Sequence, residues 1–388
     1  MDRSYLGILF WIFIGLAIGT VAYFVFLQPT YTIQPPPPAP NITPPSDLNN
    51  TQPSVQPPSN IVNITVIPAP NCDRCKSADL FSAQIQANRE QLAISIGSVT
   101  TLMSNSPEAE VLISKYSIKQ LPTLIISGNA NLSEEFLSSW KAEAGTVESD
   151  GNLVLRNIYP PYYDNENKTL VGLVNGVSIK ATGCPECLDA AIYFDSLEDP
   201  TIDLAFSNKT VLEENDSAAA ELILKYNITK LPVLLLSIDA VVYPIFPQYI
   251  APLGTVEDGW FVLRNITPPY IDLQDNHSLR GLVETILLIN GSCTQCFNAS
   301  SLSEYISQES GLFVINTTTY DVNSTEGKAL MTKYNISQIP TVFYSPEASF
   351  YPSFNEIWLS QNNTIENDGW FVFRAYNLLS VPYQNVSD

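Results

Sequence analysis

"KYNISQIPTVFYS", Lys333 to Ser345, is the last of three copies of one pattern; "KYSIKQLPTLIIS" runs from Lys115 to Ser127 and "KYNITKLPVLLLS" from Lys225 to Ser237. Each copy carries a Lys-Tyr pair, an aliphatic residue, a Pro and then an apolar, β-prone run. About 50 residues before each Pro lies a C-x-x-C, at Cys72/Cys75, Cys184/Cys187 and Cys293/Cys296. Roughly 33 residues after each Pro come the ends of "DGNLVLR", "DGWFVLR" and "DGWFVFR", at Arg156, Arg264 and Arg374. Landmarks recurring in one order at a period of about 110 residues make a tandem of whole domains, since solenoid repeats are only roughly 20 to 50 residues long. The expected organisation is a segment 1–27, a segment 28–60 and three domains at 61–165, 166–272 and 273–388, called repeats 1, 2 and 3.

Each repeat reads in the same order. An apolar run comes first ("IVNITVI", "LVGLVNGVSI", "LVETILLI"), then the C-x-x-C, then apolar residues at helical spacing, such as Leu188, Ile192 and Tyr193 in repeat 2. A second strand follows ("LAISIG", "IDLAFS", "LFVINTT"), then a helix ("PEAEVLISKY", "SAAAELILKY", "EGKALMTKY"), then the strand after the Pro. The β-α-β-α-β order predicts an α/β layer structure with a mixed sheet. "DG" before the final β-rich run reads as a turn into an added strand, and its Arg as a surface ion pair within the repeat. Trp140, Trp260, Trp358 and Trp370 read as packing residues.

Two cysteines separated by two residues fit a redox couple, half of a zinc site or a structural clasp. His277 is the single histidine, so a site of two cysteines and two histidines is excluded; a four-cysteine site would join different repeats and leave one pair over. A static clasp closing so short a loop pins little chain. The pattern therefore favours redox chemistry and no metal. A helix beginning at the first cysteine stabilises a thiolate there through its unpaired N–H groups and dipole, lowering a pKa of about 8.5 toward 7. On that expectation Cys72, Cys184 and Cys293 attack, and Cys75, Cys187 and Cys296 resolve the mixed disulfide. Arg74 favours a more oxidising couple, partly offset by Asp73. Glu186 does the opposite, with Pro185 suited to the first helical position, and Thr294 and Gln295 are neutral. A gradient of reduction potentials, with repeat 2 the weakest oxidant, is the corresponding hypothesis; three equal potentials would sink it.

Strand, C-x-x-C, helix, strand, helix, "KY-x-I-x-x-(L/I)-P-(T/V)" and strand together resemble the thioredoxin-like superfamily, over roughly two thirds of residues 61–388. The resemblance implies three tandem thioredoxin-like α/β domains in which Pro122, Pro232 and Pro340 are cis and face the disulfide. It also implies that the main chain of Leu121, Leu231 and Ile339 bonds an extended peptide. The activity implied is thiol-disulfide exchange of the oxidase or isomerase type on protein substrates, with no dissociable cofactor. There are departures. No motif has the Trp-Cys-Gly-Pro-Cys form, and Asn71, Gly183 and Ser292 precede the first cysteines. The family's buried acid, six residues before the first cysteine, is replaced by Val66, Ser178 and Leu287. "CPEC" has the Cys-Pro-x-Cys form of glutaredoxin-type relatives. These departures count against a general reductase and not against disulfide exchange as such. A reading from another class is a redox-silent binding module that captures peptides in the groove beside the Pro.

The rest of the sequence places the chain. Leu6 to Leu27 carries no charge for 22 residues, enough at about 1.5 Å per residue to cross a bilayer core of roughly 30 Å. With Arg3 before it and no Lys or Arg again until Arg74, the reading is an uncleaved signal anchor with a cytoplasmic N-terminus and extracytoplasmic domains. Residues 28–60, about one third Pro, form an extended stalk. Sequons run densely from Asn41 and Asn49 through Asn208 and Asn316 to Asn385, and six cysteines in three close pairs suit an oxidising compartment. Asn227 and Asn335 lie in the helix-to-Pro turn, a poor place for a glycan. This combination suits an archaeal cell surface, with a eukaryotic secretory compartment as second choice. The net charge of −21 excludes nucleic acid as a partner. Partners expected are protein thiols and disulfides, the membrane through the N-terminal helix, and a membrane redox protein that recharges the cysteines.

Overall fold

In repeat 1 the first apolar run becomes β1 (Ile61–Ile67), in which Val62, Ile64 and Val66 are buried on one face and the residues between them are less so until Ile67. The computed structural model describes residues 60–386 except 91, 93, 129–131, 362, 380 and 381. The expected span at Leu6–Leu27 and the Pro-rich segment through residue 59 lie outside these residues. Among the described residues no helix is long and apolar enough to cross a membrane.

After β1 the chain continues through α1 (Ser77–Ala87), β2 (Ser95–Thr101), α2 (Pro107–Lys115), β3 (Gln120–Leu121), β4 (Thr123–Gly128), α3 (Glu134–Ser139), β5 (Gly145–Val147), β6 (Leu153–Leu155), β7 (Tyr162–Asp164) and β8 (Thr169–Val171). The main sheet has the order β2-β1-β4-β6-β5, with β1 and β2 parallel and the other pairs antiparallel. The parallel pair needs a crossover, which α1 supplies. Alternation then divides the core. Ile64, Leu124 and Ile126 face α1 and Trp140, whereas Ile67, Ile125 and Val154 face Ala109 and Leu112 of α2.

The same sheet order recurs twice. Val174–Ile179, Phe206–Leu212, Val233–Ser237, Trp260–Leu263 and Gly254–Glu257 build it in repeat 2; Val283–Ile289, Val314–Asp321, Thr341–Tyr344, Phe371–Val372 and Thr364–Ile365 build it in repeat 3. This mixed sheet with helices on its faces fits a thioredoxin-like α/β fold. The "DG" turns lead into added strands, as β5 and β6 show. Trp140 and Trp358 are buried packing residues that donate Nε1–H to the carbonyls of Thr146 and Thr364. The chain divides into two compact units, one ending at Val171 and one beginning at Gly172. Repeat 1 and residues 166–171 of repeat 2 lie in the first, and the rest of repeat 2 and all of repeat 3 lie in the second.

Arg156, Arg264 and Arg374 do more than make ion pairs. Arg374 pairs with Glu366 at 2.9 Å, donates to Thr364 Oγ1 at 2.8 Å, and reaches the carbonyls of Tyr334 at 2.6 Å and Asn335 at 3.5 Å. Those carbonyls end a helix (Thr325–Tyr334), where they have no intrahelical partner. Arg156 repeats the arrangement with Glu148, Thr146, Tyr116 and Ser117; Arg264 does so with Glu257, Thr255 and Asn227. The Lys-Tyr pair binds the other end of the same hairpin. Lys115 Nζ and Tyr116 OH converge on Asp150 at 2.7 and 2.9 Å, as Lys333 and Tyr334 do on Asp368. "KY" and "DG…R" are thus two halves of one clamp.

Candidate functional site

All three C-x-x-C pairs are disulfides. Each lies in the loop leaving the first strand of its sheet, but none sits in the first turn of a helix. The helices begin at Ser77, Ile192 and Ala299, after the second cysteine in every case. Cys75 N–H and Cys187 N–H instead close turns onto the carbonyls of Cys72 and Cys184, at 3.4 and 3.3 Å. The expectation of a thiolate held by a helix dipole is corrected accordingly, because that field falls off within the first turn. Pro185 occupies a turn and not a first helical position. In repeat 2 Asp189 causes the delay: its carboxylate accepts Ala191 N–H and its carbonyl accepts Ile192 N–H.

Burial separates the three pairs. Cys72 is half-buried and Cys75 is 4% exposed, the arrangement expected of an attacking and a resolving cysteine. Repeat 2 inverts it, with Cys184 8% exposed and Cys187 half-buried. Cys293 and Cys296 are both half-buried. Backbone geometry differs as well: Asn71 and Gly183, just before the first cysteines, are left-handed at φ 54° and 81°, and Ser292 is not. Val66, Ser178 and Leu287 are buried, so no carboxylate stands at those three positions. Among the described residues the Ser178 hydroxyl has no hydrogen-bond partner. Among the described residues no cluster of His, Cys, Asp and Glu could hold a metal ion. His277 is largely exposed and has Nε2 3.0 Å from Glu214 Oε1.

The peptide bonds before Pro122, Pro232 and Pro340 are cis, as are those joining Pro160 to Pro161 and Pro268 to Pro269. The edge beside the first three is not open. Leu121 lies opposite Tyr163, Leu231 opposite Ile271 and Ile339 opposite Gln384, each in an antiparallel pair with the chain's own downstream segment. Asn165, Leu273 and Val386 donate N–H to the carbonyls of Lys119, Thr229 and Ser337 at 2.8 Å. Alternation of antiparallel bonds then directs both main-chain groups of Leu121, Leu231 and Ile339 at these segments, here called straps. The main-chain bonds that the resemblance assigned to a bound peptide are made within the chain. In repeat 1 Tyr163 of the strap packs against the same apolar cluster as Cys72 and Cys75. In repeat 3 the Pro382 carbonyl accepts Phe297 N–H, next to Cys296, and Asn290 Nδ2 donates to Gln384 Oε1.

Two straps were visible in the sequence as the "PPYYD" and "PPYID" joints. The third, "VPYQN", shares with them the pattern Pro-Tyr-x-(Asp/Asn), a signal strong enough to have been found.

No protein-family model matches the sequence, and no curated protein matches it. Among solved structures, human ERp44 aligns with 74% of this chain and 78% of its own at 11% identity, with a TM-score of 0.15. ERdj5 aligns with 77% of this chain and 40% of its own, also at 11% identity and a TM-score of 0.15. A score that low carries no structural weight.

Proposed function

We propose that the chain is a membrane-anchored, extracytoplasmic thiol-disulfide oxidoreductase of three tandem thioredoxin-like domains, acting on envelope or secreted proteins. The observation that carries the chemistry is that every repeat places a disulfide in a loop with at least one cysteine half open to solvent. A substrate thiolate attacks the accessible sulfur, and the other cysteine leaves as a thiolate and takes a proton. A second substrate thiolate then attacks the mixed disulfide and releases the first cysteine. The substrate dithiol loses two electrons and the C-x-x-C gains them; a second protein disulfide restores the pair. The uncharged stretch at Leu6–Leu27 supports the anchor, and the sequon density and paired cysteines support the external location.

The accessible sulfur is that of Cys72 in repeat 1 and of Cys187 in repeat 2. Cys75→Ser and Cys184→Ser should therefore trap substrates as mixed disulfides on non-reducing gels, and Cys187→Ser should not. If no single-cysteine variant traps a partner and the protein neither oxidises nor reduces a dithiol peptide, the enzyme reading fails. The filled edges beside the cis prolines favour only the redox-silent half of the second reading, since the chain's own straps occupy the edge that a captured peptide would use.

A further inference from the structure

The three straps share a chemistry. Each presents Pro-Tyr-x-(Asp/Asn): Pro161-Tyr162-Tyr163-Asp164, Pro269-Tyr270-Ile271-Asp272 and Pro382-Tyr383-Gln384-Asn385. In each the residue after the Tyr faces the residue before the cis-Pro, and the Asp or Asn faces Gln120, Lys230 or Gln338. Three independent segments seated on one edge in one register describe what that edge recognises: an extended strand whose main chain pairs with it, a Tyr, and a side-chain acceptor two residues on.

The straps differ in how they are held. Those of repeats 1 and 2 are first strands of hairpins, paired again with Thr169–Val171 and Ser278–Arg280. Their Asp carboxylates tie the turn, Asp164 accepting from Glu166 and Asn167 and Asp272 from Gln274 and Asp275. The strap of repeat 3 has no second strand among the described residues. Its Tyr383 is 39% exposed against Tyr376, whereas Tyr270 is 4% exposed. Gln384 and Asn385 are exposed, and Asn385 Oδ1 accepts from Gln338 Nε2 at 3.2 Å.

We propose that the Ile339 edge of repeat 3 is an exchangeable binding site for an extended protein segment of the form Pro-Tyr-x-(Asp/Asn)-aliphatic, for which residues 382–386 are the resident ligand. The incoming segment forms the main-chain bonds with Ile339, stacks its Tyr on Tyr376, offers its acceptor to Gln338, and places its aliphatic residue where Val386 packs beside Ile339 and Phe343. The resident strap competes at the high effective concentration of a tether. This site stands whether or not the cysteines exchange electrons, so it survives the failure of the redox reading.

The test uses the full chain and a fluorescent peptide with the sequence of residues 381–386, read by polarisation. In Gln384→Pro the strap loses the N–H that faces Ile339, and the peptide should bind at least about tenfold more tightly than to the parent. Replacing the peptide's own Gln by Pro should abolish binding, and replacing its Tyr or Asn by Ala should weaken it several-fold; none of these peptide changes can unfold the protein. Equal peptide affinity in parent and variant, or binding indifferent to the peptide's Tyr, overturns the proposal. A strap-exchanged dimer of the parent that excess peptide does not dissolve also overturns it, assigning the edge to a second copy.

Discussion

The disulfide loop comes early in each repeat and the hairpin of the clamp late, and the two differ in how alike the three copies are. The clamp is built from the same residue types three times, with Arg156, Arg264 and Arg374 each bonded to a Glu, a Thr and a helix-terminal carbonyl. The disulfide loops differ in the residues between the cysteines, in which cysteine is buried and in whether the preceding residue is left-handed. A scaffold kept constant around divergent loops means that the three disulfides sit in three different local surroundings.

The largest expected effect is at the clamp. Arg374→Ala removes four hydrogen bonds from a half-buried site and strands the Tyr334 carbonyl, so it should cost about 2 to 3 kcal/mol, read from the urea midpoint. Arg264 has a longer reach to its helix carbonyl, 3.2 Å, and a Glu257 partner that is 43% exposed. After allowance for solvent screening, Arg264→Ala should cost about 1 kcal/mol. Equal losses would break the idea that the clamp of repeat 2 is the looser one. Its Lys225–Asp258 distance of 3.8 Å, against 2.7 Å for Lys115–Asp150, points the same way.

The loops should respond by position. Gly183 has φ 81° and open space where a Cβ would stand, so Gly183→Ala is penalised by backbone alone, by about 1 kcal/mol. Gly183→Asn should recover part of that, since Asn tolerates the left-handed region as Asn71 does. Ser292→Ala, at a position without positive φ, should change stability by less than about 0.5 kcal/mol. A similar loss at Gly183 and Ser292 would show that the loops are alike after all.

What was legible in the sequence followed from periodicity. The runs at Ile61–Ile67 and Pro107–Lys115 became a strand and a helix nearly to the residue, because each carries an unbroken pattern and Ser106 caps the helix. The strand expected at "IDLAFS" begins late, at Phe206, after a turn in which Asp199 accepts Thr201 N–H. The helix starts of repeats 1 and 2 were misplaced because neither Lys76 nor Ala191 offers a capping side chain, whereas in repeat 3 Asn298 does cap the helix, accepting Ser300 and Ser301 N–H, a local signal that marks the start. Two straps were visible as the "PPYYD" and "PPYID" joints, but their pairing was not, because each strap pairs with only two residues, too few for any periodicity, and its register depends on partners 40 or more residues away. The cysteines themselves were legible, but their relative burial was not, since burial is set by packing across the sheet.

The smallest effect tests the polar half of the clamp. Hydrogen bonds from Lys115 and Tyr116 hold the Asp150 carboxyl down to about 2. A carboxyl depressed in the folded state binds its proton less readily than in the unfolded chain, where it titrates near 3.9. Its stabilisation is therefore complete above the unfolded value and is lost as pH falls through about 2. Asp150 sits at the surface, so the contribution is modest and weakens in salt. Between pH 4 and 2 the thermal midpoint of the unit ending at Val171 should fall more steeply for the parent than for Asp150→Asn, and the two curves should converge at the acid end. Asp258→Asn should lower the thermal midpoint at neutral pH by less than Asp150→Asn does, because the Lys225–Asp258 contact is 3.8 Å long against 2.7 Å for Lys115–Asp150. Equal losses for the two substitutions would mean that the longer contact does not make the clamp of repeat 2 the looser one.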